Sequence, residues 1–128
     1  MSFRAFRIDQ NEDGEHSAGV VELTRDELSD GEVLIRTAYS SVNYKDALAG
    51  TGQGKILRRF PLVGGIDVAG HVQESRDSRF KEGDPVLVTG CGLSETRDGG
   101  YGEIARMAAD DVVPVPEGLS LREAMGLG

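Results

Sequence analysis

The protein is a chain of 128 residues with 14 basic and 22 acidic side chains, a formal net charge of −8 at pH 7. That length suits one domain with a single core, and the acidic balance argues against a nucleic-acid or anionic-membrane partner, since phosphate contacts need a basic surface. No run of consecutive apolar residues exceeds three, so neither a membrane span nor a signal-peptide core is expected and the expected compartment is the cytoplasm.

The expected elements are mostly strands. Phe3 to Ile8, Val20 to Leu23, Val33 to Val42, Ile66 to Val72, Val86 to Val88 and Tyr101 to Ala108 are short apolar stretches bounded by Gly, Asp, Asn or Pro turn signals. Several strands at this spacing point to a mainly β fold with short helices, a sandwich or a small, partly open barrel. Alternation in the fourth stretch places Ile66, Val68 and Val72 on a core face and Asp67, Ala69 and His71 on a more polar one. Two helices carry start signals. Asn43 precedes Tyr44 to Ala49 as an N-cap, and Ser120-Leu121-Arg122-Glu123 has capping-box spacing. The second helix reaches Gly128 with no apparent partner for its apolar side, so Leu121, Met125 and Leu127 are expected to be exposed, as if a further domain were beginning.

Glycine is in excess, 18 residues or about 14%, twice the usual share. Gly64-Gly65, Gly90-Cys91-Gly92 and Gly99-Gly100-Tyr101-Gly102 permit positive φ or close backbone approach. The chain contains no Gly-x-Gly-x-x-Gly fingerprint between a strand and a helix and no P-loop. Between Asn43 and Gly65 four basic residues, Lys45, Lys55, Arg58 and Arg59, face a single acid, Asp46. They either attract an anionic ligand such as a nucleotide or coenzyme A phosphate, or are solvated loop charges. His71, with no second ligand at metal spacing, reads as structural, and Cys91, between two glycines and beside no base, reads as an ordinary thiol.

One ordered set of motifs is recognisable. It comprises Ser41-Val42-Asn43-Tyr44-Lys45-Asp46-Ala47-Leu48-Ala49, Thr51-Gly52-Gln53-Gly54-Lys55-Ile56, Arg58-Arg59-Phe60-Pro61, Gly65-Ile66-Asp67-Val68-Ala69-Gly70, Gly83-Asp84-Pro85-Val86-Leu87, Thr89-Gly90 with Gly99-Gly100, Pro116-Glu117-Gly118-Leu119 and the closing Glu123 to Gly128. In this order they resemble the first segment of the medium-chain dehydrogenase/reductase superfamily, and within it the zinc-free, quinone oxidoreductase-like branch that contains acryloyl-CoA reductases. The resemblance implies a GroES-like, partly open β-barrel over residues 1–118, the substrate-side catalytic domain, with 119–128 opening a helix toward a nucleotide-binding domain not contained in the chain.

Zinc-dependent members of the superfamily hold their catalytic metal with a cysteine where Asn43 stands and a His-Glu pair where Ile66 and Asp67 stand, so no zinc is expected here. The resemblance implies NADPH as cofactor in the full-length enzyme and hydride transfer to the β-carbon of an activated alkene in an enoyl thioester or quinone, followed by protonation of the enolate. It places Tyr44 beside the nicotinamide as a catalytic and cofactor-binding residue, with Asn43 also cofactor-binding and Asp46 catalytic. As a local matter, Asn43 and Asp46 are equally explained as an N-cap and a first-turn acid. The sequence departs from close members at Cys91, where they carry tryptophan, and at Arg97 or Asp98, where they carry histidine. A homodimer of the full-length protein is also expected, whereas the isolated chain is expected to show little or no NADPH binding or turnover. Two other readings stand beside this one: a stand-alone module that holds an anionic ligand or a protein partner through Arg58 and Arg59, and, on fold analogy alone, a co-chaperonin-like ring subunit.

Overall fold

The computed structural model describes residues 2–52, 57, 58 and 60–126. The chain opens on a hairpin of β1 (Ser2–Gln10) and β2 (His16–Thr24), in register from Ser2 against Thr24 to Gln10 against His16. Its turn is set locally: the Asn11 side-chain oxygen accepts the Asp13 and Glu15 amides at 3.0 and 2.8 Å, in the manner of an Asx turn. After β3 (Val33–Tyr39) comes α1 (Tyr44–Thr51), which ends at Gly52 in the left-handed region, φ +77°. There follow β4 (Leu62–Val63), β5 (Asp67–Ser75), β6 (Pro85–Thr89), β7 (Ile104–Met107), β8 (Val113–Pro114) and α2 (Leu121–Met125).

The strands form a three-stranded sheet, β2-β1-β4, and a five-stranded sheet, β7-β3-β5-β6-β8, with every described pairing antiparallel. An isolated bridge between Ala5 of β1 and Gly102, just before β7, links the two sheets, which do not close into a barrel. This is the mainly β, partly open architecture that the pattern of short strands predicts. The main core lies on the inner face of the larger sheet, where Val33, Ile35, Val68, Val72, Val86 and Val88 are almost completely buried. A second cluster, built on Phe3, Ala5, Leu23, Leu28 and Val63, fills the space under the hairpin.

Three expectations are corrected. Pairing of β3 stops at Tyr39, short of the expected Val42, because the next residues leave the ladder to bond the side chain of Asp67. The strand expected from Tyr101 begins at Ile104, since the backbone of 99–101 is engaged elsewhere: Gly99, Tyr101 and Gly100 donate to the carbonyls of Val63, Gly64 and Gly65 at 2.8, 2.9 and 3.1 Å. A Cβ at Gly99 would run into the carbonyl oxygens of Gly64 and Gly65, so glycine there allows this close approach. Finally, the outer face of β5 is not a polar surface, and α2 does not lack a partner. Ala69, fully buried, packs with Leu87, Ala124 and Met125 beneath α2, and Met125 is only 6% exposed. Alternation found the two faces correctly but could not show that a helix covers the second. Leu127 lies outside the described residues.

Candidate functional site

The segment from Ser40 to Asp46 leaves the end of β3, crosses the start of β5 and turns into α1. Little backbone pairing holds it. Its main-chain amides are bonded instead by two buried carboxylates, Asp67 at 1% and Asp46 at 5% exposure. Asp67 Oδ1 accepts the Ser41 amide at 3.0 Å, Oδ2 accepts the Ser41 hydroxyl at 2.5 Å, and the Asp67 carbonyl accepts the Ser40 hydroxyl at 2.7 Å. Asp46 reaches both ways: Oδ2 accepts the Asn43 amide at 2.9 Å and Oδ1 accepts the Ile66 amide, across on the entry to β5, at 3.0 Å. Asn43 and Asp46 form a capping box at the start of α1, which offsets the orphan amides of the first turn.

Tyr101 closes the arrangement from the opposite loop. Its hydroxyl donates to the Ser41 carbonyl at 2.7 Å, and its ring stands edge-on to Phe6 with centroids 6.3 Å apart. A phenol has one proton, and this geometry gives it to Ser41, so neighbouring Asp46 acts on Tyr101 mainly as a charge. Burial, and behind it the carboxylates of Asp46 and Asp67, raise the Tyr101 hydroxyl well above the usual phenol range, keeping it a donor.

The structure brings the three residues expected at the site together, in distinct roles. Tyr44, on the first turn of α1, is 80% exposed, and Val42 beside it is 83% exposed. Asn43 is half-buried, its side-chain amide donating to the Ser41 hydroxyl at 3.0 Å and to Asp46 Oδ2 at 3.3 Å. Asp46 is 5% exposed, its Oδ2 accepting the Asn43 amide and its Oδ1 the Ile66 amide. Ile66, half-buried at the entry to β5, carries no metal-ligating atom in its side chain. Among the described residues no three His, Cys, Asp or Glu side chains are grouped to hold a metal ion.

Of the expected basic patch, Lys45 and Arg58 lie among the described residues. Lys45 pairs with Glu95, and the amide of exposed Arg58 donates to the Glu95 carbonyl at 2.7 Å, while Lys55 and Arg59 lie outside the described residues. The Lys45 ammonium, with a further contribution from Arg58, holds the Glu95 carboxyl below the usual range. Cys91 adopts φ +54°, and desolvation together with nearby Asp111 raises its thiol against the opposing pull of Arg97, so it is no activated nucleophile. The residues that sequence reasoning missed are Asp67 and Tyr101. A signal for Asp67 was available, since a lone acid inside the apolar run from Ile66 to Val72 must find partners if it is buried.

Residues 29–117 match the alcohol dehydrogenase GroES-like domain. The chain belongs to that family, at the head of the medium-chain dehydrogenase/reductases. It is 47% identical over 119 residues to a probable acrylyl-CoA reductase of Escherichia coli, covering 93% of this chain and 37% of the relative. It is 46% identical over 126 residues to a putative quinone oxidoreductase of Bacillus subtilis, covering 98% of this chain and 38% of the relative. The crystal structure of an oxidoreductase from Salmonella enterica in complex with NADP superimposes with a TM-score of 0.92 at 46% identity, over 98% of this chain and 38% of that one. The chain thus spans less than two-fifths of the length of these relatives.

Proposed function

We propose that this chain is the substrate-side domain of a cytoplasmic, zinc-independent, NADPH-dependent reductase that saturates the activated C=C bond of an enoyl thioester such as acryloyl-CoA, or reduces a quinone. In this reading residues 1–118 form the catalytic domain and 119–128 lead toward a nucleotide-binding domain that supplies the pyrophosphate site. The observation that carries it is Tyr44: a phenol 80% exposed, on a helix start braced by Asn43 and Asp46. The neighbouring exposed Val42 adds an aliphatic face, and together they fit the flat edge of a nicotinamide and an alkene carbonyl. The relatives, an acrylyl-CoA reductase, a quinone oxidoreductase and an oxidoreductase in complex with NADP, support the same chemistry.

When bound, the reduced nicotinamide supplies a hydride to the β-carbon of the alkene. Tyr44 would donate a hydrogen bond to the substrate carbonyl oxygen, where negative charge builds as the enolate forms, and so lower the barrier. Asn43 would line the cofactor side, and Asp46 would act through it by fixing the cap. The α-carbon of the enolate then takes a proton from solvent water, which completes the addition of hydride and proton across the double bond. A zinc is not needed for this step, and the donor set fits that: the Asn43 amide nitrogen is committed to two hydrogen bonds and Ile66 has no ligand atom.

The first test reads the coding sequence beyond Gly128, where we expect in-frame continuation into a strand, a Gly-rich turn and a helix. The full-length protein is then assayed for NADPH oxidation with acryloyl-CoA and with a benzoquinone, in the presence of a chelator. Turnover that survives the chelator, and a drop of about 100-fold in kcat for Tyr44→Phe, are expected. An immediate stop codon, or a full-length protein that consumes NADPH with neither acceptor, overturns the proposal.

A further inference from the structure

Every polar group of Ser41 is held by a buried or half-buried side chain. Its amide and hydroxyl go to the two oxygens of Asp67, its carbonyl accepts from Tyr101, and its hydroxyl also accepts from the amide of Asn43. Ser41 is therefore the joint between the rigid sheet and the tip formed by exposed Val42 and Tyr44 and half-buried Asn43. Asp67 lies at the start of β5, opposite Thr89 of β6, and at 1% exposure it cannot touch a ligand at the surface. A carboxylate buried this deeply is costly unless its oxygens are saturated, and most of what saturates it is the Ser40–Ser41 turn. The network runs one way outward: Asp67 to Ser41 Oγ, Ser41 Oγ to Asn43 Nδ2, and Asn43 to the cap that carries Tyr44.

We propose that Asp67 is a positioning residue for the reaction: through Ser41 it sets the place of Asn43 and Tyr44, with Tyr101 fixing the other side of the same peptide. This rests on the reading of Tyr44 given above. Asp67 touches no reacting atom. Its carboxylate accepts from both donors of Ser41, and an amide at the same place would keep one acceptor but turn an –NH2 toward the Ser41 hydroxyl, which would then accept from two amides while its own proton loses the carboxylate oxygen that takes it. A displacement of the tip by about 1 Å costs on the order of 100-fold in rate when a group must meet a developing charge.

The test uses Asp67→Asn, Ser41→Ala and the double variant in the full-length protein, with 3-fluorotyrosine in place of tyrosine and the Tyr44 fluorine signal assigned by Tyr44→Phe. Expected are a fall of about 100-fold in kcat/KM for Asp67→Asn, a comparable fall for Ser41→Ala, and no further loss on combining them, because both cut one path. The Tyr44 signal of folded Asp67→Asn protein is expected to shift or split, which a loss of global stability alone would not cause. Should Asp67→Asn not fold, Ser41→Ala carries the same two readouts. An unchanged Tyr44 signal with kcat/KM within twofold of the parent, or losses that multiply in the double variant, overturns the proposal. A parent enzyme inactive on both acceptors defeats the reductase reading, and the fluorine signals then decide the positioning claim alone.

Discussion

Asp98→Ala removes a carboxylate that ties three distant segments together. Asp98, 7% exposed, accepts the Val63 amide at 2.8 Å through Oδ1, and through Oδ2 the Ser29 amide at 2.7 Å and the Ser29 hydroxyl at 3.0 Å. It thereby joins the turn before β3, the edge strand β4 and the loop that leads to Tyr101. Hydrogen bonds to a charged acceptor each contribute about 1.5–3 kcal/mol, and three of them set an upper bound that the cost of burying the carboxylate reduces. What remains after truncation is an amide at Val63, itself 1% exposed, that water cannot reach, and half-buried Ser29 donors that it can. A net loss of about 3 kcal/mol is therefore expected, a large fraction of the roughly 5–15 kcal/mol that holds such a domain. Urea unfolding followed by far-ultraviolet circular dichroism should show a midpoint lowered by about 2 M at unchanged slope, taking a slope near 1.5 kcal/mol per M. Ser29→Ala, which keeps the Ser29 amide bond, should cost only about 1 kcal/mol. A midpoint shift for Asp98→Ala below about 0.5 M would refute the claim that this carboxylate braces the fold.

Met125→Ala should destabilise the chain by about 2 kcal/mol, the low end for a buried methionine because the site lies near the rim, and a null result in urea unfolding would mean that α2 does not dock on Ala69 and Leu87. Alkaline titration followed by phenolate absorbance should show Tyr101 ionising above the ordinary phenol range. Because its folded value is raised above the unfolded one, the stability it confers is complete below about pH 10 and is lost as pH climbs beyond that, so Tyr101→Phe should make the alkaline loss of stability shallower. Lys45→Met should move the Glu95 carboxyl titration, followed by side-chain carbon NMR, up toward the ordinary glutamate range. An unmoved Glu95 would mean that Lys45 is not its main partner.

Much of the fold was legible because it follows from short-range rules. The positions of β1, β5 and β6, the capping boxes at Asn43 and Ser120 and the glycine pairs at 64–65 and 99–100 all answer to alternation, orphan amides or a missing Cβ. What failed was long-range. Two-residue strands such as β4 and β8 carry no period of their own and exist only because β1 and β6 offer them an edge. Pro114 in β8 suits an edge strand, since a proline cannot donate to a ladder. The burial of Ala69 depends on α2, some fifty residues downstream, and no window over β5 contains that information.

The site divides along the same line. Asn43, Tyr44 and Asp46 are adjacent in sequence and their helix start is a local motif, so both the resemblance and the capping rule could find them, but neither could rank them. Burial ranks them. Tyr44 is 80% and Asp46 5% exposed, so the phenol is open to solvent while the carboxylate, bonded to the Asn43 and Ile66 amides, is enclosed. The same reasoning brings in Asp67 and Tyr101, which lie 26 and 60 residues from Ser41 and share with it only a set of hydrogen bonds. A surface phenol on so short a helix would wander unless something inside it were rigid, and here the rigidity comes from buried polar groups rather than from apolar packing. That arrangement is vulnerable to single substitutions, because removing one partner leaves the other buried and unpaired. It also predicts where such substitutions act: on the geometry of the tip first, and on the apolar core, several strands away, only through the shared start of β5.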